Sequence, residues 1–216
     1  MFRFNGPAMQ WLTKLCYVLY AHILAFACCI PIITAGAGLT ALEYVLLKIS
    51  RDEEGAITKD FFHSFKENLK DGTVLGVIYF VVVFFLSFNI YFLMHEKTDM
   101  NNIMLVATFA CALLLVLNMT WGFVLLSRYN NSAIKTIKYA FSVCLIYIPQ
   151  TLTMLALVAI PLIMALFSFD LIPIAMVLGA LLSGYIRPRI YGVVFEKIEA
   201  VNRENTEEES VLEKES

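Results

Sequence analysis

Residues 15–47 read LCYVLYAHILAFACCIPIITAGAGLTALEYVLL, 33 residues in which Glu43 is the sole acidic or basic side chain apart from the imidazole of His22. One helix of that length would be about 50 Å long at 1.5 Å per residue, against a hydrocarbon core of roughly 30 Å. The stretch must therefore fold back on itself. Pro31 lacks a backbone N–H and disfavours the helical conformation at Ile30, which puts the turn there. One short span is expected over residues 11–30 and a returning one over 32–48.

The rest of the chain extends this reading. Residues 72–94 and 103–126 hold no Asp, Glu, Lys or Arg, residues 143–167 carry Pro149 and Pro161 within an apolar run, and 171–187 follow after a gap of three residues. Of all 216 residues 60% are hydrophobic and 16% charged, with a mean hydropathy of +0.75. A soluble domain averages about half apolar and a quarter charged, so the expectation is an all-α integral membrane protein of six transmembrane helices. Five is the alternative. A net charge of −2 leaves no basic excess for nucleic acid.

Basic residues cluster on the cytoplasmic side of membrane proteins. Lys and Arg number five in 48–71, three in 127–140 and five after 186, but one in 95–102 and none in 168–170. That alternation predicts both termini inside, with Arg128, Arg187 and Arg189 as topology anchors. A cleaved signal peptide ending near Ala35 is set aside, because the product would begin with a second apolar run. All five cysteines lie in apolar segments and read as small buried hydrophobes.

Two amphipathic segments precede pairs of spans. In residues 57–70, Ile57, Phe61, Phe65 and Leu69 form one stripe, with Lys59 and Lys66 elsewhere. In 132–141, Ile134, Ile137 and Phe141 do the same. Both are expected to lie in the membrane surface, and the recurrence of surface helix plus hairpin suggests an internal repeat. Residues 201–216 read as a flexible acidic cytoplasmic tail.

Ionisable groups within spans are costly and are therefore functional candidates. His22 falls within the first span and Glu43 near the basic end of the second. Gly36, Thr40 and Glu43 share a helical face, which predicts close packing on a neighbour, with Glu43 snorkelling or paired to Arg128, Arg187 or Arg189. Asn89, Asn118 and Gln150 need partners in their spans. Gly72 with Gly76, and Gly179 with Ser183, are small-residue pairs suited to helix contact. No His, Cys and carboxylate spacing forms a metal site, and no catalytic motif or cofactor loop is present in the sequence.

The run PIITAGAGLTALEY at 31–44, followed by DFFHSFKEN at 60–68, resembles the YesL family of small bacterial integral membrane proteins. The resemblance extends over about residues 5–200 and leaves the acidic tail outside. It implies a bacterial plasma-membrane protein associated with carbohydrate uptake, partnered by an ATP-binding-cassette sugar permease or a sensor kinase. It implies no catalytic residues. The expectation is a non-enzymatic accessory protein in the lipid bilayer, with Phe61, Phe65, Lys66 and Asn68 as interfacial or partner residues and a homo-oligomer as a further arrangement. The alternative is a small transporter or channel, with Pro31, Thr34, Gly36, Gly38, Thr40, Glu43 and His22 lining a site at the broken hairpin.

Overall fold

The break at Pro31 turns the chain through two linked devices. In the computed structural model, which describes residues 7–53, 55–95, 101–129, 131–167, 170 and 172–215, α1 (Pro7–Cys29) and α2 (Ala35–Ser50) are the arms of the folded-back stretch. Pro31 is extended (φ −77°, ψ 114°) and leads into a 3-10 turn over Ile32–Thr34. The Thr34 hydroxyl donates to the Cys28 carbonyl at 2.8 Å, and its N–H to the Pro31 carbonyl at 3.0 Å. A carbonyl orphaned at the end of α1 is thereby satisfied.

The chain continues as α3 (Ile57–Glu67), α4 (Leu69–His95), α5 (Asn101–Arg128), α6 (Ala133–Ile146), α7 (Ile148–Phe167), α8 (Ile172–Leu181), a π-turn over Leu182–Ile186 and α9 (Arg187–Glu215). No strand occurs among the described residues. Among the described residues five segments are long and apolar enough to cross a membrane: Met9–Cys29, Ile32–Ser50, Leu69–His95, Ile103–Arg128 and Ile148–Phe167. The apolar run 171–187 is not a single α-helix, since its described residues wind as α8 and then loosen into the π-turn. Pro188 does not stop the helix as a proline after a last turn would. It is the second residue of α9, directly after the π-turn, and the backbone stays helical through the acidic tail to Glu215.

Eleven of the sixteen residues of α2 are buried, which makes it the central helix. Its neighbour α4 approaches to backbone contact. A methyl group on Gly36 would strike the carbonyl oxygen of Gly72 and lie 2.9 Å from the Gly76 Cα; one on Gly72 would lie 2.8 Å from the Ala37 Cα. On its other flank α2 meets α1 at Gly38, whose added Cβ would sit 3.2 Å from the Cys28 Cβ. A first cluster joins α1, α2 and α3 around Leu46 and Phe61, and a second joins α5, α6, α7 and α9 around Trp121, Tyr191 and Phe195. A third packs Leu75 and Tyr79 of α4 on Phe123 and Leu126 of α5.

Both amphipathic segments are helices, with bounds set by local chemistry. The first ends at Glu67 rather than near residue 70, because Asn68 leaves the helix (φ −95°, ψ 9°) and donates its side-chain amide to the Ser64 carbonyl at 3.0 Å. Gly72 N–H then donates to the Asn68 carbonyl at 2.7 Å, so α4 starts at once. The second continues to Ile146, beyond the expected 141, and the next long helix starts at Ile148 rather than 143. Ile148 precedes Pro149, which favours a helix start at that point.

The stripe of Ile134, Ile137 and Phe141 divides, since Ile137 is half-buried against the third cluster and the other two are exposed. Ala133, Thr136, Ala140, Val143 and Cys144 are buried, while Ile134 and Phe141 point outward. Small residues face the helices and large ones face away, an order suited to a lipid environment where exposed Ile and Phe cost nothing.

Because backbone atoms cannot move aside as side chains do, Gly36→Ala and Gly76→Ala should each cost about 1–3 kcal/mol. The thermal midpoint of the detergent-solubilised chain should fall for both. Gly55→Ala, whose nearest outside atom would be the Asp60 carboxylate at 3.7 Å, should leave it unchanged.

Candidate functional site: a buried polar cluster at the helical break

The face Gly36, Thr40, Glu43 carries α2 from its contact with α4 toward its basic end. Thr40 is fully buried and donates its hydroxyl to the Gly36 carbonyl at 2.8 Å, so it needs nothing beyond its own helix. Glu43 does need a partner. Its Oε1 lies 2.7 Å from Nη1 of Arg187, with side-chain exposures of 7% and 13%. Arg187 Nη2 also donates to the Thr120 carbonyl of α5 at 3.2 Å, and the Tyr191 hydroxyl donates to the Glu43 carbonyl at 3.3 Å. Three contacts therefore hold α2, α5 and α9 at this point, yet Glu43 Oε2 and Arg187 Nε are buried without hydrogen-bond partners.

The π-turn brings Arg187 there. One extra residue in a turn rotates everything after it by about 100°, so an ordinary α-helical turn would direct the guanidinium elsewhere. Gly184, inside the turn, packs so closely that a Cβ would overlap Val18 Cγ1 and approach Leu46 Cδ2 at 3.2 Å. Ser183 faces His22, its hydroxyl 3.1 Å from Nε2 and 2.6 Å from the Gly179 carbonyl. Its single proton serves one of these acceptors at a time. His22 Nδ1 lies 2.8 Å from the Val18 carbonyl and donates to it. A groove of about 550 Å³ between α1 and α8 reaches His22 and Ser183, with Leu19, Phe26 and Met176 among its apolar walls.

The residues expected at the broken hairpin thus divide. Pro31 and Thr34 build the turn; Gly36, Gly38 and Thr40 serve contacts within and between helices; His22 and Glu43 join the polar cluster. Of the expected partner residues, Phe61 is completely buried against α1 and α2 and is not open to a partner. Phe65 is half-buried, Asn68 forms the hinge, and Lys66 is exposed. Phe62, which the four-residue stripe passes over, is 40% exposed.

The three arginines also separate. Arg187 is drawn inward to Glu43, Arg128 pairs with Glu199 at 3.0 Å, and Arg189 donates to the Tyr185 hydroxyl at 2.6 Å. Sequence reading missed Tyr191 and the pairing of Ser183, because spacing across a π-turn does not follow the α-helical period.

Other polar groups of the spans find partners across helices. Tyr79 donates to Asn118 Oδ1 at 2.7 Å, Asn118 donates to the Ile137 carbonyl at 3.0 Å, and Thr108 lies 2.9 Å from Asn89 Oδ1. Trp121 Nε1 donates to the Thr151 hydroxyl at 2.8 Å. Gln150 Oε1 is buried without one. Among the described residues no three His, Cys, Asp or Glu side chains are grouped to hold a metal ion.

At the basic end, the Tyr129 hydroxyl is buried without a partner, and burial pushes its phenol up, with Glu199 adding to the shift and Arg128 opposing it. A folded state that prefers the neutral phenol is favoured below the ordinary tyrosine value of about 10 and loses that advantage as pH rises through the raised value. Tyr129→Phe should leave the unfolding midpoint at neutral pH unchanged or higher and flatten its alkaline decline. For the ion pair, Glu43→Leu or Arg187→Leu alone should cost about 3–5 kcal/mol, because each strands a buried charge, whereas the double variant should recover most of the loss. Melting of all three variants in detergent measures the coupling.

Over residues 13–90, which run from α1 into α4 and include both motifs quoted above, the chain matches a family model described as "Protein of unknown function, DUF624". No curated protein and no solved structure matches it.

Proposed function

We propose that the chain is a non-enzymatic, multi-pass accessory subunit of the bacterial plasma membrane that docks laterally on the permease of a carbohydrate importer. The observation that carries this reading is an aromatic ridge on α4. Phe80, Phe84, Phe88 and Tyr91 follow one another at helical spacing and are 53%, 60%, 61% and 62% exposed. Lipid tails are satisfied by any apolar side chain, so a continuous aromatic ridge suits a partner helix that offers grooves to receive it. The class of partner follows from the resemblance to the YesL family, with which the matched region is compatible.

In this reading α8, the π-turn and the first residue of α9 form the sixth crossing. The stretch from Ile172 to Ile186 holds no charged side chain, and 15 helical residues span about 22 Å. With both termini cytoplasmic, α3 and α6 lie in the inner membrane surface, where exposed Lys59, Lys66, Lys135 and Lys138 meet anionic headgroups. An impermeant maleimide should label Asp99→Cys from outside and reach Gly55→Cys only after the membrane is opened; the reverse pattern would invert the topology.

Co-expression with the membrane-embedded subunits of an ATP-binding-cassette sugar importer, followed by detergent purification, tests the docking. Retention of the permease should be lost in Phe84→Ala/Phe88→Ala while the melting midpoint holds, since both rings are exposed. A chain that purifies alone would overturn the proposal. The groove reaching His22 and Ser183 favours a second reading, a small transporter with its site at the broken hairpin. Flux of sugars or ions through reconstituted liposomes above empty vesicles, lost in Glu43→Ala, would support it.

A further inference from the structure

We propose that the basic end of the α1/α8 seam is a binding site for one anionic phospholipid, with the headgroup phosphate on Arg189 and an acyl chain in the groove below it. The groove has a volume of about 630 Å³ and runs between Leu12 and Leu15 of α1 and Leu178 and Leu182 at the α8 end, with Trp11 and Tyr185 at its mouth. The two rings lie 4.7 Å apart between centroids and tilted by 40°, joining the helices at the depth where Trp and Tyr occupy the headgroup boundary.

Arg189 at this mouth differs from the other two arginines named as topology anchors. Arg128 and Arg187 each have a carboxylate partner. The guanidinium of Arg189 instead lies 4.2 Å from the Tyr185 ring centroid and donates to its hydroxyl, and no carboxylate ion-pairs with it among the described residues. It is exposed, and its remaining donors are directed by a side chain already held in place. An unneutralised, oriented cation over an apolar groove between two membrane helices is complementary to a ligand with a negative head and a hydrocarbon tail. A partner helix would fill the groove but would leave the charge unmatched unless it carried a carboxylate at that height. The phospholipid satisfies both parts with one molecule.

Native mass spectrometry of the full chain, released from detergent with added phosphatidylglycerol or phosphatidylcholine, tests this. The wild type should retain phosphatidylglycerol preferentially. Arg189→Gln should reduce that preference roughly fivefold, the value of one basic residue against an anionic headgroup, while Lys138→Gln, a loss of exposed charge on α6, should not change it. Leu12→Trp, which fills the groove from a half-exposed position, should lower retention of both lipids without moving the melting midpoint. Equal retention of the two lipids by the wild type, an undiminished preference in Arg189→Gln, or displacement by glycerophosphate as efficient as by the lipid would overturn the proposal. So would cross-linking of Leu12→Cys to a second copy of the chain when lipid is present.

Discussion

Backbone contact between α2 and α4, made through Gly36, Gly72 and Gly76, is the constraint on which the helix arrangement depends. Without side chains between them, the two helices approach closely enough for α2 to lie inside the bundle while α1 covers it at Gly38 and α5 and α9 close the remaining sides. In lipid, where apolar burial alone gives little reason for helices to associate, close van der Waals fit and interhelical hydrogen bonds must supply the association. The glycines supply the first of these. The second comes from the Tyr79–Asn118–Ile137 and Trp121–Thr151 links, which tie α4, α5, α6 and α7 together.

That central position of α2 also explains its buried carboxylate. Glu43 enters the bundle because its helix does, and a carboxylate taken from water requires a counter-charge nearby. Arg187 provides it after a π-turn that reorients the last helix, and Tyr191 lies one helical turn further along the same face. The pair fixes α9 against α2 and α5 without satisfying every polar atom, since Glu43 Oε2 and Arg187 Nε stay unmatched.

Surfaces follow the same logic in reverse. α6 buries Ala, Thr and Cys and presents Ile134 and Phe141 outward, and α4 presents its row of aromatic rings. Large apolar side chains on the outside are unfavourable in water and cost nothing in a membrane, so the pattern that would mark a core in a soluble helix marks the periphery here. For this reason the stripe read from residues 134, 137 and 141 divides, with Ile134 and Phe141 outward and Ile137 packed on the third cluster. The α3 stripe behaved in the soluble manner, with Phe61 buried, because that helix packs over the ends of α1 and α2.

By itself the sequence determined the apolar character of the helices, the fold-back at Pro31 and the close-packing role of the glycine face, since each rests on local properties: run length, a missing N–H, side-chain size. It also narrowed the partner of Glu43 to three arginines. Only the tertiary structure chose Arg187, assigned Arg128 to Glu199, left Arg189 at the mouth of a groove and showed Phe61 as core rather than contact surface. Those outcomes depend on how one helix is rotated against another, and a single π-turn changes that rotation without leaving a periodic trace in the residues that form it.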